Sequence, residues 1–283
     1  MPEKSALGDR MKSFEKMFTD QKLMPGLPAL ARLDGKAFHT WTRGLERPYD
    51  VQLTKLMVAT TLYLCERTNA LMGYTQSDEI TLVWFPTFES PMMFDGKVSK
   101  LNSVLSSQAA RYFNKNVSKY VPKKADQDAD FDCRVWNVPS KVEAANAFVW
   151  RELDATRNSV SMAAQAKFSH KELQGKNSSE MQDMLWNVGI NWNNYPPFFK
   201  RGTYIQRRRS LRPFTTDEIE KLPLKHAART NPALMIERND YTTISIPPLV
   251  KVPNRVTVIF DGELPVDESS LTTEGTIPGA MLV

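Results

Sequence analysis

Apolar positions along the first half of the chain alternate between helical and strand periods. Met11, Phe14, Met17 and Phe18 share one helical stripe within residues 5–22, and Pro25 and Pro28 close that helix. Residues 29–34 form a short apolar run that suits a buried strand and leads into Asp34-Gly35. After a loop containing Gly44 and Pro48, the stripe Leu53, Leu56, Met57, Thr60 and Leu64 predicts a helix over 51–68. Gly73 interrupts the pattern, and 74–86 alternates as two short strands around the tight turn Ser77-Asp78-Glu79. A turn at Asp95-Gly96 precedes a helical pattern over 98–114. Residues 115–130 read as a charged loop, and 131–138 return to strand.

The order strand, helix, hairpin, helix, strand is that of the split βαβ unit. It predicts an α+β protein with a ferredoxin-like βαββαβ palm, in which the first strand and the hairpin lie side by side at the sheet centre. That adjacency would bring Asp34 and Asp78 together. Further along, helices are expected at 140–168 and 178–190, followed by an aromatic, proline-containing connector at 191–206 that leads to a strand, and then two β-prone runs, 241–246 and 255–260. The expected division is a palm at 1–139, a helical extension with its connector at 140–206, and an appendage with a small β component at 207–283. Residues 269–283 are expected to be loosely ordered.

Composition narrows the class. A chain of 283 residues, 41% hydrophobic and 24% charged, suits one elaborated soluble domain or a domain with an appendage. Its 2 cysteines form no CxxC pair, so neither a disulfide framework nor a zinc site is expected, and Cys65 and Cys133 read as core residues. The amphipathic start has no signal-peptide core, and no apolar run approaches the ~20 residues that span a bilayer. A cytoplasmic protein without a membrane partner is therefore expected. The net charge of +5 favours an anionic partner, with nucleic acid first.

The candidate chemistry lies at the two acidic turns. Glycine after Asp34 lets the backbone bend so that the Gly35 carbonyl can also face a cation, while the N–H groups of Lys36 to His39 can wrap phosphates. Asp78 is held on a turn fixed by strand residues Tyr74, Ile80, Leu82 and Trp84. Each acid alone is also an ordinary turn residue. Brought together, the two suit a pair of Mg²⁺ ions around a nucleoside triphosphate, because Mg²⁺ takes a few carboxylates and completes its shell with water and phosphate. A non-catalytic RNA-binding ferredoxin-like sheet is the competing class, but no RNP-type aromatic strand is present. A nucleotide cyclase or diguanylate-type palm is disfavoured by the lack of a GGDEF-like string.

Arg32-Leu-Asp-Gly-Lys-Ala-Phe-His39 and Tyr74-Thr-Gln-Ser-Asp-Glu-Ile-Thr-Leu-Val-Trp84 resemble the signature blocks of the tRNA-His guanylyltransferase family, which adds nucleotides to RNA in the 3′-to-5′ direction. Matching pieces follow in order: Glu46-Arg-Pro-Tyr-Asp50, Ser99-Lys100, Phe131-Asp-Cys-Arg-Val135, Trp150-Arg-Glu-Leu-Asp154 and Phe199-Lys-Arg-Gly-Thr203. The resemblance spans roughly residues 5–206 and implies a polymerase palm. Asp34, Asp78 and the Gly35 carbonyl would hold two Mg²⁺. Asp34, Gly35, Lys36, Ala37, Phe38 and His39, with Ser77 and Asp78, would hold the triphosphate of ATP, GTP or another NTP. Glu79 would be an acidic catalytic neighbour, Arg47 would lie near the activated 5′ end, and Lys200 and Arg201 would contact phosphates.

The resemblance also implies tRNA or a tRNA-like RNA as partner and a homo-oligomer, dimer or tetramer. Enzymes dedicated to tRNA-His carry a HINNLYN block after Trp-Arg-x-x-Asp. Here 156–162 read TRNSVSM, and of that block only Asn158 remains as a nucleotide-binding candidate. This favours template-dependent 5′-end repair over addition of a single guanosine to tRNA-His. Arg207-Arg208-Arg209 with Arg212 could contact RNA backbone. Trp192 and Tyr195 read as core residues, with base stacking as their other use.

Overall fold

The computed structural model describes residues 6–231 and 233–266. Its elements begin with α1 (Ala6–Thr19), β1 (Ala29–Gly35), the short α2 (Phe38–Trp41), α3 (Val51–Thr68), β2 (Met72–Gln76) and β3 (Glu79–Trp84). They continue with α4 (Val98–Tyr120), β4 (Phe131–Asn137), α5 (Lys141–Gln165), α6 (His170–Leu173), α7 (Ser178–Asn187) and α8 (Pro197–Arg201). The chain then forms β5 (Thr203–Pro213), α9 (Thr216–Lys221), β6 (Met235–Ile244) and α10 (Arg255–Phe260).

One antiparallel sheet in the order β4-β1-β3-β2-β5-β6 organises the molecule. Its first four strands have the ferredoxin-like order expected from the sequence. Alternation along each strand separates two cores. Ala31, Leu33, Ile80, Leu82 and Val135 pack beneath α3 and α4, whereas Leu30, Met72, Tyr74 and Val83 pack against Ala144, Ala145 and Phe148 of α5. A third cluster joins Ala163, Ala164, Leu185 and Phe199 across α5, α7 and α8. No described helix is long and apolar enough to cross a membrane.

Four elements differ from the sequence expectation. α4 continues to Tyr120 through the start of the charged stretch, because Phe113 and Val117 prolong the buried row Leu101, Leu105, Ala109 by one helical step each. Residues 255–260 form α10 rather than a strand. Val258, Ile259 and Phe260 are buried in the α5-side cluster, and that packing outweighs the β preference of RVTVIF. β6 starts at Met235, ahead of the run expected at 241–246. β5 crosses position 206: Thr203 to Gln206 pair with β2, and the strand continues against β6. The run expected to be loosely ordered, 269–283, lies outside the described residues.

The C-terminal segment is fastened by a buried acid. Glu152 accepts hydrogen bonds from the Tyr204 hydroxyl at 2.7 Å and the Leu249 N–H at 2.8 Å, so α5, β5 and residues 246–252 are held at one point. Burial raises the Glu152 pKa, and the two donors act against that rise.

Candidate active site

β1 and β3 are neighbours in register, with Asp34 opposite Glu79, and the Gly35 N–H donates to the Asp78 carbonyl at 3.2 Å. The backbone therefore ties the two acidic turns together. Both turns contain a non-glycine residue in the left-handed region, Ala37 at φ 54° and Ser77 at φ 54°. Such conformations cost about 1–2 kcal/mol each and persist where the surroundings impose them.

Here the first turn is imposed by aromatic packing. The Phe38 ring lies 5.3 Å from Trp41, 5.7 Å from Phe113 and 5.5 Å from Phe131, and the Trp41 indole donates to the Gln127 carbonyl at 3.0 Å. With that ring in place, a Cβ on residue 35 would sit 2.2 Å from Phe38 Cδ2. Gly35→Ala should therefore displace the turn, cost about 1–3 kcal/mol of stability and lower nucleotide affinity. Denaturant unfolding and equilibrium nucleotide binding check both effects.

Phe38 is itself a core side chain, so its N–H is the part available to a ligand. The backbone N–H groups of Ala37, Phe38 and His39 have no hydrogen-bond partner among the described residues, which leaves three donors free for an anion. His39 is exposed above them. Lys36 donates its N–H to the Asp130 carbonyl at 2.9 Å and directs its ammonium to within 3.7 Å of the Asp130 carboxylate.

The Asp34 carboxylate has no ion-pair or hydrogen-bond partner among the described residues. Burial pushes the Asp78 carboxyl up to about 6. A hydrogen bond from Ser77 acts against that rise, and the nearby Asp34 charge adds to it. His39 lies near enough for its charge to favour the ionised form of Asp78, but neither acid has an ion-pair partner among the described residues, and two close acids so placed fit a metal. No group of three or more His, Cys, Asp or Glu side chains among the described residues could hold an ion. The donor set is thus two carboxylates and backbone oxygen, which suits Mg²⁺ shared with phosphates better than a closed protein cage.

Two clefts meet at this pair. One of about 470 Å³ runs from Asp34, Asp78 and the free N–H groups past Arg47 to an apolar wall that includes Leu45, Pro48, Met57 and Phe198. The other, of about 490 Å³, lies on the α5 side and is lined by Arg32, Gln76, Glu79, Arg151, Asp154 and Asn158.

Glu79 faces the second cleft with both oxygens occupied. Arg151 Nε and Nη2 bind its two oxygens at 2.6 Å each, and Nη2 also reaches Asp154 at 2.9 Å. Burial raises the Glu79 pKa against the pull of Arg151. Glu79 is thus placed beside Asp34 as a charge-compensated acid. Asn158 hydrogen-bonds Asp154 at 3.4 Å on the same wall. Sequence reasoning gives Arg151 no role; the signal for one is a charge on the apolar stripe Phe148–Ala155 of α5.

Lys200 and Arg201 line neither cleft. Lys200 donates to the Asn193 carbonyl at 2.5 Å and lies 5.3 Å from the Trp192 ring, and burial lowers its pKa. The α8 residues that do reach the first cleft are Phe198 and Phe199. Trp192 donates to Ser159 at 3.1 Å, and Tyr195 packs on Tyr49 and Phe199, so both serve the core. In the basic run, Arg207 binds Asn69 at 2.9 Å and Arg212 is neutralised by Glu218 at 2.8 Å and Asp240 at 3.3 Å.

A family model described as tRNAHis guanylyltransferase matches residues 8–139, which hold the first four strands and both acidic turns. A bacterial tRNA(His) guanylyltransferase-like protein, solved in complex with ATP, is 38% identical; the match covers 72% of this chain and 87% of that one, with a TM-score of 0.66. The chain belongs to the tRNAHis guanylyltransferase family. A bacterial relative of the same kind solved with GTP is 30% identical over 84% of this chain and 91% of its own, with a TM-score of 0.64. An uncharacterized protein of Acanthamoeba polyphaga mimivirus is 32% identical over 226 residues, 71% of this chain and 77% of that protein. Membership makes this chain a guanylyltransferase-like nucleotidyltransferase on a polymerase-type palm.

Proposed function

We propose that the protein is a 3′-to-5′ RNA nucleotidyltransferase that activates the 5′ end of tRNA or a tRNA-like RNA with ATP or GTP and then extends it under a template, as 5′-end repair. The supporting observation is the meeting of two clefts at Asp34 and Asp78, since the reaction needs a triphosphate and an RNA end on opposite sides of one acidic pair. In the first stage an RNA 5′-monophosphate attacks the α-phosphate of ATP or GTP and releases pyrophosphate. In the second, the 3′-hydroxyl of the incoming nucleotide attacks the activated 5′-phosphate and displaces the nucleoside monophosphate.

The free N–H groups of Ala37, Phe38 and His39 take the triphosphate oxygens, and the apolar wall by Leu45 and Phe198 excludes water beside the nucleoside. Arg32 has no ion-pair partner among the described residues and supplies a cation to the RNA phosphate in the second cleft. Mg²⁺ held by Asp34, Asp78 and the Gly35 carbonyl would acidify the attacking hydroxyl and neutralise phosphate charge. The chain's own part is positioning and charge, with no nucleophilic side chain.

Asp78 must be ionised to hold a cation, and it takes up a proton as pH falls through about 6. At Mg²⁺ concentrations too low to saturate the site, the rate of transfer should therefore decline below about pH 6, approaching tenfold per pH unit, and saturating Mg²⁺ should move the decline to lower pH. A rate profile on one RNA from neutral to acid pH checks this, and a flat profile would contradict it.

Repair is supported by the TRNSVSM block, which departs from HINNLYN on α5, the helix that walls the second cleft. Addition of a single guanosine to tRNA-His is the second reading, and the family's own description favours it. Incubation with labelled NTPs, Mg²⁺, intact tRNA-His and several 5′-truncated tRNAs separates them. Repair predicts extension of each truncated tRNA by nucleotides complementary to its 3′ strand. Guanosine addition to tRNA-His alone would establish the second reading, and RNA bound without modification would overturn both.

A further inference from the structure

Trp150 is 49% exposed on α5, and the guanidinium carbons of Arg151 and Arg32 lie 4.4 Å and 5.6 Å from its ring centroid. Arg151 is committed to Glu79 and Asp154, whereas Arg32 has neither an ion-pair nor a hydrogen-bond partner among the described residues. In the β1–β4 ladder Arg32 stands directly opposite Arg134, so both side chains emerge on the α5 face of the sheet. Like charges so placed repel each other. Among the described residues Arg134 is relieved only by Asp132 at 3.2 Å, and that pair is weak because its side chains are 56% and 52% exposed. The next row of the ladder is Asp34 opposite Asp132. The two rows are about 7 Å apart, comparable with the step between successive phosphates of an RNA strand.

We propose that Trp150 is the stacking platform for the 5′-terminal base of the RNA, with Arg32 and Arg134 holding the phosphate on the 3′ side of that nucleotide. The proposal rests on the RNA-extending reading given above. In that reading the 5′-phosphate to be activated lies at Asp34 and Asp78. One step along the strand brings the following phosphate to the arginine row. The base between the two phosphates then falls beside Arg32, where the indole stands. A guanidinium can lie against an aromatic ring and still bind a phosphate through its N–H groups. Stacking on an indole tolerates any base, which suits a site that accepts truncated ends of differing sequence.

The arginine row favours RNA over a protein lying along α5, where Val142 and Leu153 are also exposed. An apolar contact closing over Trp150 would strip water from Arg32, which has no carboxylate to compensate it. A backbone phosphate brings the missing charge with it. The triphosphate substrate is not the occupant either, because Arg32 lines the second cleft and not the first, where the free N–H groups lie.

The test is binding of a 5′-monophosphorylated, 5′-truncated tRNA, read by fluorescence anisotropy, beside the same RNA lacking its 5′-terminal base. Trp150→Ala and Trp150→Leu should weaken binding of the intact RNA roughly tenfold with Tm unchanged, and Trp150→Phe, which keeps a ring, should stay within about threefold. The native chain should lose a similar factor on the abasic RNA, and Trp150→Ala should lose little more there. Arg32→Gln/Arg134→Gln should lower the slope of log affinity against log salt by about 1. In the extension assay Trp150→Ala should raise KM for RNA and leave KM for ATP where it was. Native affinity in Trp150→Ala, a loss as large on the abasic RNA as on the intact one, or a change in KM for ATP alone would overturn the proposal. Binding is read without turnover, so a Trp150-dependent complex that is never extended would count against the extension reading and support the stack.

Discussion

Asp78→Asn is expected to lower nucleotide transfer on the order of 10³-fold or more while raising the stability of the metal-free protein. The two effects share a cause. Asp78 is half-buried next to Asp34, and burial with that charge lifts its pKa to about 6. An unfolded aspartate has released its proton by about pH 4–5, so between there and pH 6 the folded state binds more protons. Stability therefore falls as pH rises through that window. Above it the folded chain carries a penalty of about 1–3 kcal/mol that Asn removes. A thermal melt without divalent metal should show the variant with the higher Tm at neutral pH, and the gap should close on acidification. Adding Mg²⁺ and GTP should stabilise the native chain and leave the variant where it was. Asp34→Asn should lose transfer to a similar extent.

Arg151→Ala should give the largest loss of fold stability at the site, about 3–5 kcal/mol. The guanidinium is bound to both oxygens of Glu79 and to Asp154 in a poorly exposed pocket. Removing it leaves Glu79 partly desolvated, opposite Asp34 in the sheet register, with no counter-charge. Glu79→Gln should be milder, and Arg151→Ala/Glu79→Gln should recover part of the loss, because the uncompensated acid is gone. Urea unfolding of the four proteins forms a double-mutant cycle that reads the coupling directly. Additive losses would show that the pair is not a unit.

The parts of the fold that were legible from sequence are those where local pattern and tertiary burial agree. α3 occupies the predicted 51–68 because its stripe is apolar and Asp50 caps its N-terminus, accepting from the N–H groups of Gln52 and Leu53. The turns at Asp34 and Asp78 were placed by element order, and the sheet puts them in contact. α10 was misread because a β-branched run is settled by what covers it, and the cover comes from α5, more than a hundred positions earlier. For α1 the amphipathic stripe does form a helix, but the chain's own core does not cover its apolar face. Arg151 was hidden by the expectation that charges lie outside, although Arg151 and Glu152 both sit on the buried stripe of α5. Lys200 and Arg201 were assigned by resemblance alone, and no local pattern indicated that their helix would turn Phe198 and Phe199 toward the cleft instead.

The central claim is that Asp34 and Asp78 jointly hold the cation of a bound triphosphate. The most direct measurement is anomalous diffraction from crystals grown with Mn²⁺ and GTP. It should locate metal density in contact with both carboxylates and next to the phosphates, with the phosphates on the N–H groups of Ala37 to His39. Ordered GTP whose metal touches neither acid would contradict the account.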